Sequence, residues 1–94
     1  MNDYVIVRTY SAGVFAGELV RREGKEVELT NARRLWYWDG AASLSELAQL
    51  GPAKPRTCKF PAPINVTVTE AIEIIDVTDA ARAAIEAVPV WTAH

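Results

Sequence analysis

The sequence predicts an α+β fold that is mostly β, in which an antiparallel meander of strands curls toward a small barrel. Two observations lead to this fold class. Four strand-like runs, separated by polar or glycine-containing turns, fill the first forty residues, as in consecutive hairpins. Leucine and alanine at helical spacing follow a turn at Asp39-Gly40 and again follow Thr78, so we expect one short helix after the fourth strand and one near the C-terminus. A chain of 94 residues is expected to form a single domain, residues 1–94.

The predicted strands begin close to the N-terminus. Residues 3–10, DYVIVRTY, are rich in β-branched and aromatic side chains, and residues 14–22 resume this pattern after a Ser-Ala-Gly break. A polar turn over residues 21–26 leads to a third strand at residues 27–30. Residues 33–38 form the predicted fourth strand.

Small residues are concentrated where the first strand gives way to the second: Ser11, Ala12, Gly13, Ala16 and Gly17. One interpretation is a tight turn followed by a close crossing of two backbones, with Gly17 marking a bulge or the close approach. The other is a loop whose amides receive an anion. The run matches no phosphate-binding loop, because it lacks the lysine and the strand-loop-helix context of that motif.

The second half of the chain is predicted to begin with a short helix over residues 44–50. Ser43 and Glu46 fit a capping box at its start, and a Gly-Pro pair ends it. Residues 52–63 contain four of the five prolines and are expected to cross the surface in extended form.

The remaining residues are predicted to form first strand and then helix. Residues 64–77 alternate in β-type runs and form either one bent strand or two short strands divided near Glu70. Thr78 caps a helix over residues 79–88. The apolar tail at residues 90–91 is expected to dock on a neighbouring surface, at an interface.

The aromatic run at residues 33–38 is the most distinctive part of the sequence. In a strand its side chains would alternate between two faces, and both faces would carry aromatic residues, so each needs a cover. In one interpretation the aromatic side chains form the core and a subunit interface, with the arginines at its fringe. In the other, an arginine beside tryptophan and tyrosine forms a stacking and anion-binding wall for a planar, phosphorylated ligand. The first face carries Arg33, Leu35, Tyr37 and Asp39, and the second carries Arg34, Trp36 and Trp38.

Composition argues against several classes of function. Ten lysines and arginines against twelve acidic residues give a net charge of -2, which argues against a general grip on duplex nucleic acid. The N-terminus lacks a secretion-signal pattern and no run is long and apolar enough to span a membrane, so we expect a cytoplasmic protein. Cys58 is the only cysteine and His94 the only histidine, so neither a metal cluster, nor a cofactor, nor nucleophilic catalysis is expected.

Five stretches resemble a family of short proteins carried by tailed phages and prophages, known only as a domain of unknown function: SAGVFAG, NARRLWYWDGAASLSELA, CKF, EAIEII and VPVW. They extend over nearly the whole chain, and ARRLWYWDGA is the most specific of them. The resemblance implies a phage product acting in a bacterial cytoplasm, and it brings no catalytic residues. Small oligomeric phage proteins with pockets between subunits include sponges that sequester the nucleotide signals of bacterial immunity, which is an analogy of size, origin and pocket chemistry.

The leading hypothesis is a homo-oligomeric, phage-encoded protein that captures a nucleotide-type signal in a basic, aromatic pocket without turning it over. A structural or protein-interaction module, with the aromatic faces and Trp91 buried against partner chains, is the alternative. A nucleotide-cleaving enzyme that uses carboxylates or a recruited metal is a third option. For the leading hypothesis, Arg33 or Arg34 would hold phosphate, Trp36, Tyr37 or Trp38 would stack on a base, Asp39 would accept from a ribose or an amine, and Arg8, Arg56 and Lys59 are further candidates.

Overall fold

The computed structural model describes residues 3–92. They form one five-stranded antiparallel sheet and two α-helices. When the strands are numbered in chain order, they lie side by side in the order 4-3-2-1-5. The strands are β1 (Tyr4–Thr9), β2 (Val14–Glu23), β3 (Glu26–Arg34), β4 (Ile64–Val68) and β5 (Ala71–Asp76), the helices are α1 (Leu44–Leu50) and α2 (Asp79–Glu86), and Pro55–Thr57 forms a 3-10 turn.

The mostly β class with two helices is confirmed. Helix α1 covers the predicted residues 44–50, but it follows the third strand of the structure and not the fourth. Residues 64–77 form two short strands, β4 and β5, which is one of the two predicted arrangements. Helix α2 begins after Thr78, whose hydroxyl accepts from the Ala81 amide at 3.1 Å, and it ends at Glu86, two residues earlier than predicted.

The predicted fourth strand, residues 33–38, is wrong as a separate element. Strand β3 continues through Asn31 to Arg34, and the chain then leaves the sheet. The Leu35 amide makes the last bond to β2, donating to the carbonyl of Val14 at 2.8 Å. Because β2 begins at Val14, residues 36–38 have no strand of the sheet to pair with. Tyr37 pairs instead with Lys59 in an isolated bridge.

The predicted barrel is also wrong, because the sheet stays open. Its edge strands β4 and β5 do not pair with each other, although only Thr69 and Glu70 separate them in sequence. Those edges would lie about 19 Å apart in a flat five-stranded sheet, whereas the chain from Val68 to Ala71 spans at most about 11 Å. The sheet is therefore strongly curled. The Ala71 amide bonds to the carbonyl of Lys25 in the β2–β3 turn at 3.0 Å, and not to β4.

The two faces of the curled sheet carry two separate hydrophobic clusters. The side chains of β1 alternate between them, with Tyr4 and Ile6 on one face and Val5 and Val7 on the other. The first face packs against the helices and residues 58–60. This helix-side cluster also includes Leu35, Leu47, Cys58, Phe60 and Ile85. The second cluster contains strand residues such as Phe15, Val27, Leu29 and Val68 and fills the inside of the curl.

A bulge in β3 interrupts the alternation of buried residues. Thr30 lies opposite Glu18 and Arg33 opposite Ala16, so two residues of β3 face Gly17 alone. The extra residue is Asn31, whose φ is +50°, a conformation that asparagine tolerates better than most side chains. A Cβ on Gly17 would lie 2.8 Å from the Cα of Ala32. Gly17 therefore lies opposite a bulge and at a close approach of two backbones, so both of the alternatives predicted for it are present.

Candidate functional site

Arg33 is a buried structural residue. Its side chain is 3 % exposed, and its guanidinium donates to the carbonyls of Phe60 (2.6 Å), Val88 (2.6 Å), Ile85 (3.1 Å) and Pro61 (3.2 Å). Burial lowers the pKa of this guanidinium from its ordinary value, because the charged form loses hydration. These bonds tie the end of β3 to the end of α2, so Arg33 is not available to hold a phosphate at the surface.

Arg34, the next residue, faces a surface cleft. Its Nη1 donates to the carbonyl of Ala12 at 2.7 Å, and its guanidinium carbon lies 4.5 Å from the centroid of the Phe15 ring. The hydrogen bond and the stacking hold the plane of the guanidinium in one orientation. The side chain is only partly buried, so the rest of its edge faces the cleft.

The cleft has a volume of about 450 Å³ and lies between two segments of the chain. One wall is the loop over residues 11–14, and the other is formed by Arg34, Trp36 and Trp38. Trp36 is 65 % exposed, whereas Trp38 packs in part against the helix-side cluster. The three side chains predicted to share a face therefore do line one cleft, although they do not belong to one strand.

Tyr37 and Lys59 belong to a different surface. The Lys59 amide donates to the Tyr37 carbonyl at 2.7 Å, and its ammonium lies 5.9 Å from the Tyr37 ring and 5.6 Å from the Trp91 ring. The Trp91 amide bonds to the carbonyl of Phe60 at 3.0 Å. The C-terminal tail thus docks on its own chain, while the Trp91 side chain stays 39 % exposed.

The other predicted site residues lie outside the cleft. A carboxylate oxygen of Asp39 accepts from the Thr57 hydroxyl at 3.0 Å, and Arg8 forms an exposed ion pair with Glu73 at 2.9 Å. Arg56 is exposed in the 3-10 turn. Of the nine predicted residues, the structure brings only Arg34, Trp36 and Trp38 together at the cleft.

The sequence does not predict the two contacts that hold Arg34 at the cleft. Phe15 supports the Arg34 guanidinium from beneath, and the carbonyl of Ala12 anchors it. The small residues at positions 11–13 stand out in the sequence, but nothing in their spacing links them to Arg34 or Trp36, which lie more than twenty positions later. The link comes from the pairing of β2 with β3, in which Phe15 lies opposite Arg34.

The single thiol is a packed residue. Cys58 is buried, and its sulfur accepts from the Asp39 amide at 3.4 Å. Burial raises the pKa of the thiol, which disfavours the thiolate that a nucleophile or metal ligand requires. Residues 3–92 contain no group of three or more His, Cys, Asp and Glu that could hold a metal ion. Neither helix within this range is long and apolar enough to cross a membrane.

The fold and the cleft define a small protein with an open, curled antiparallel sheet and a surface cleft lined by an arginine, two tryptophans and the residues that join β1 to β2. The chain belongs to the family called domain of unknown function DUF6948, whose model matches residues 2–85. This confirms the resemblance to a domain of unknown function. No curated protein matches the chain, and no solved structure matches it.

Proposed function

We propose that the chain is a non-catalytic binding protein that captures a nucleotide-type ligand in the cleft beside Arg34. The proposal extends to a homo-oligomer encoded by a phage, which sequesters a nucleotide signal of bacterial immunity in the cytoplasm. The observation that supports it is the meeting of one guanidinium and two indole side chains at a single cleft.

Arg34 is suited to hold a phosphate. A guanidinium has five N–H donors in a planar fork, and the only hydrogen bond of this one within residues 3–92 is the bond from Nη1 to Ala12. The remaining donors can pair with two oxygens of one phosphate. Because Phe15 and Ala12 already orient the group, little side-chain entropy would be lost when the ligand binds.

Trp36 is suited to stack on a base. Its ring is largely exposed and lines the same cleft as Arg34, and stacking on aromatic side chains accepts any base because every base has a π face. The cleft volume of about 450 Å³ lies within the range of small-molecule sites, roughly 300–1,000 Å³. A mononucleotide is therefore a ligand of fitting size and charge.

Thermal unfolding with a panel of adenine and guanine nucleotides, cyclic ADP-ribose isomers and cyclic oligonucleotides tests this proposal. A ligand at about 100 times its dissociation constant stabilises the native state by about 2.7 kcal/mol, which should raise the midpoint of so small a domain by several degrees. We expect a selective shift in midpoint that is lost in Trp36→Ala, a substitution at an exposed position. The shift should be reduced in Arg34→Lys, because lysine keeps the charge but lacks the planar fork of donors.

Arg22→Ala is the matched control, because Arg22 is an exposed arginine that does not line the cleft. It should keep the full shift in midpoint. The absence of a shift across the panel with folded protein, or an equal loss in Arg22→Ala, would remove the cleft from the proposal.

A second candidate function, a protein-interaction module, is favoured by the exposed apolar side chains Trp36, Tyr37, Val90 and Trp91, which are 39–65 % exposed. Large apolar side chains that remain exposed are typical of contact surfaces. Light scattering combined with acrylamide quenching of tryptophan separates the two functions. Full protection of Trp36 in an assembly larger than the 10.3 kDa chain would favour the module, whereas a quenchable Trp36 leaves the cleft open to a ligand.

A further inference from the structure

A second group of cations and aromatic rings lies outside the cleft, around the bridge between Tyr37 and Lys59. We propose that this surface binds single-stranded nucleic acid. It is named the lysine-aromatic face and consists of Tyr37, Lys59 and Trp91, together with Lys54 and Arg56 of the 3-10 turn that precedes Lys59 in the chain. The inference goes beyond the nucleotide cleft and does not depend on it, because the cleft is lined by other side chains.

The aromatic part of this face has two exposed rings with a cation between them. Tyr37 is 49 % exposed and Trp91 is 39 % exposed, and the Lys59 ammonium lies within 6 Å of both ring centroids, at 5.9 and 5.6 Å. The backbone holds this arrangement, since Tyr37 pairs with Lys59 and the neighbouring Phe60 pairs with Val90. Rings carried on adjacent extended segments are fixed platforms on which successive bases can stack.

The positive charges of this face have no carboxylate partners within residues 3–92. Lys54, Arg56 and Lys59 are exposed, and none of them forms an ion pair with a carboxylate of residues 3–92. The nearby carboxylate of Asp39 accepts a hydrogen bond from Thr57 instead. Three arginines elsewhere behave differently, since each pairs with at least one glutamate: Arg8, Arg21 and Arg82. On a chain of net charge -2, these three cations within six residues are therefore a local concentration of positive charge.

A polyanion with unstacked bases fits this combination best. Phosphates attract the three cations, while free bases can stack on the two rings, which the paired bases of a duplex cannot do. A protein partner fits less well, because burying lysine side chains without carboxylate partners costs desolvation energy and lysine is depleted in the cores of protein interfaces.

Fluorescence anisotropy with end-labelled oligothymidylate and oligouridylate of about 12 nucleotides tests the inference, with a duplex of the same length as the comparison. We expect binding of at least one single strand at low salt and weaker binding of the duplex. With about three phosphates neutralised, a fourfold rise in salt should weaken single-strand binding about 20-fold.

Two variants separate the charged from the aromatic contribution. Lys59→Ala should lower the slope of log affinity against log salt by about 0.7, whereas Tyr37→Ala should weaken binding at least about fivefold without changing that slope. Lys25→Ala and Tyr10→Ala are the matched controls, because both residues are exposed and lie outside this face. They should bind as the wild type does.

Several results would overturn the inference. One is no anisotropy change with folded protein at low salt, and another is tighter binding of the duplex than of the single strands. The third is a loss of affinity in the two control variants equal to the loss in Lys59→Ala and Tyr37→Ala. A dimer that Tyr37→Ala dissociates, together with no oligonucleotide binding, would assign the face to a contact between copies. Arg34→Lys should keep oligonucleotide binding, so failure of the cleft and failure of this face are distinguishable.

Discussion

Two neighbouring arginines have opposite roles in this protein. Arg33 lies opposite Ala16 and points to the helix side of the sheet, whereas Arg34 lies opposite Phe15 and points to the cleft. The first is surrounded by backbone carbonyls, and the second keeps part of its edge exposed. Residue type alone does not separate a structural cation from a binding cation, but the number of carbonyl acceptors around each one does.

Arg33→Met should lower the free energy of unfolding by about 3 kcal/mol, because it leaves the buried carbonyl of Val88 without its donor and removes one of the two donors to the carbonyl of Phe60. Urea denaturation followed by tryptophan emission measures this loss. Arg22→Met, at an exposed position, should change the free energy by no more than about 0.5 kcal/mol. Equal stability of both variants would mean that the Arg33 bonds contribute little.

The burial of the Tyr4 hydroxyl predicts that the stability of the protein depends on pH. Its hydroxyl is buried and has no hydrogen-bond partner within residues 3–92, and burial, followed by the charge of Glu86, raises the pKa of the phenol to about 12. The unfolded chain would therefore release this proton near pH 10, before the folded chain does. The stabilisation that comes from keeping the buried phenol neutral is fully present below about pH 10 and is lost as pH rises through about 12, at a total of roughly 3 kcal/mol.

Tyr4→Phe should remove this alkaline loss. Near neutral pH the variant should be as stable as the wild type or up to about 1 kcal/mol more stable, because no hydrogen bond is sacrificed. Urea denaturation of both proteins at about pH 8 and about pH 11 compares them, and their difference cancels the titration of the other tyrosines and lysines. A variant that loses stability in parallel with the wild type would contradict the role of Tyr4.

At the scale of elements, the bulge at Asn31 decides which arginine is buried. Before it, Val27 and Leu29 point into the curl, and after it Ala32 does so, so the phase of β3 changes by one residue. Without the extra residue every later side chain would change face. Arg33 would then point to the Phe15 side and Arg34 to the helices. The same change of phase explains why residues 27–30 and 33–38 look like two separate strands in the sequence.

Gly17→Ala should destabilise the protein by about 2 kcal/mol, because its Cβ would lie 2.8 Å from both the Cα and the Cβ of Ala32 and the two strands would have to separate. Thermal or urea unfolding measures the loss. Gly24→Asn is the control, since Gly24 has a φ of +60° and open space around it, which asparagine tolerates. If Gly24→Asn costs as much as Gly17→Ala, the close crossing does not account for the effect.

At the scale of the whole molecule, a short corner holds the curl of the sheet. Only Thr69 and Glu70 join the two edge strands, and both neighbouring loops bond to this corner. The Tyr10 amide donates to the carbonyl of Glu70, and the Ala71 amide donates to that of Lys25, each at 3.0 Å. The curl encloses the second hydrophobic cluster, so the corner stabilises the core from its rim.

Insertion of Gly-Ser-Gly after Thr69 should lower the free energy of unfolding by about 2 kcal/mol, because the edges can then separate and both corner hydrogen bonds weaken. The same insertion after Ala62, in an exposed segment, should cost only about 0.6 kcal/mol, the entropy of a longer loop. Urea denaturation of the two variants tests this difference. Equal costs would show that the short link does not hold the curl.

Features that depend on neighbouring residues can be predicted from the sequence. Runs of β-branched and aromatic residues predicted β1 and β2, turn residues predicted the hairpin between β2 and β3, and the caps at Ser43 and Thr78 predicted where both helices begin. These patterns are readable because each element is specified within one or two turns of chain.

The other features depend on contacts that exist only in the folded protein. The open curl, the burial of Arg33 and the cleft beside Arg34 depend on partners far away in sequence, such as the carbonyl of Val88, 55 residues from Arg33, and that of Ala12, 22 residues from Arg34. A single bulge changed the faces of all later residues of β3. Local patterns carry no information about such partners, since the free energy that selects them arises only when the sheet has formed.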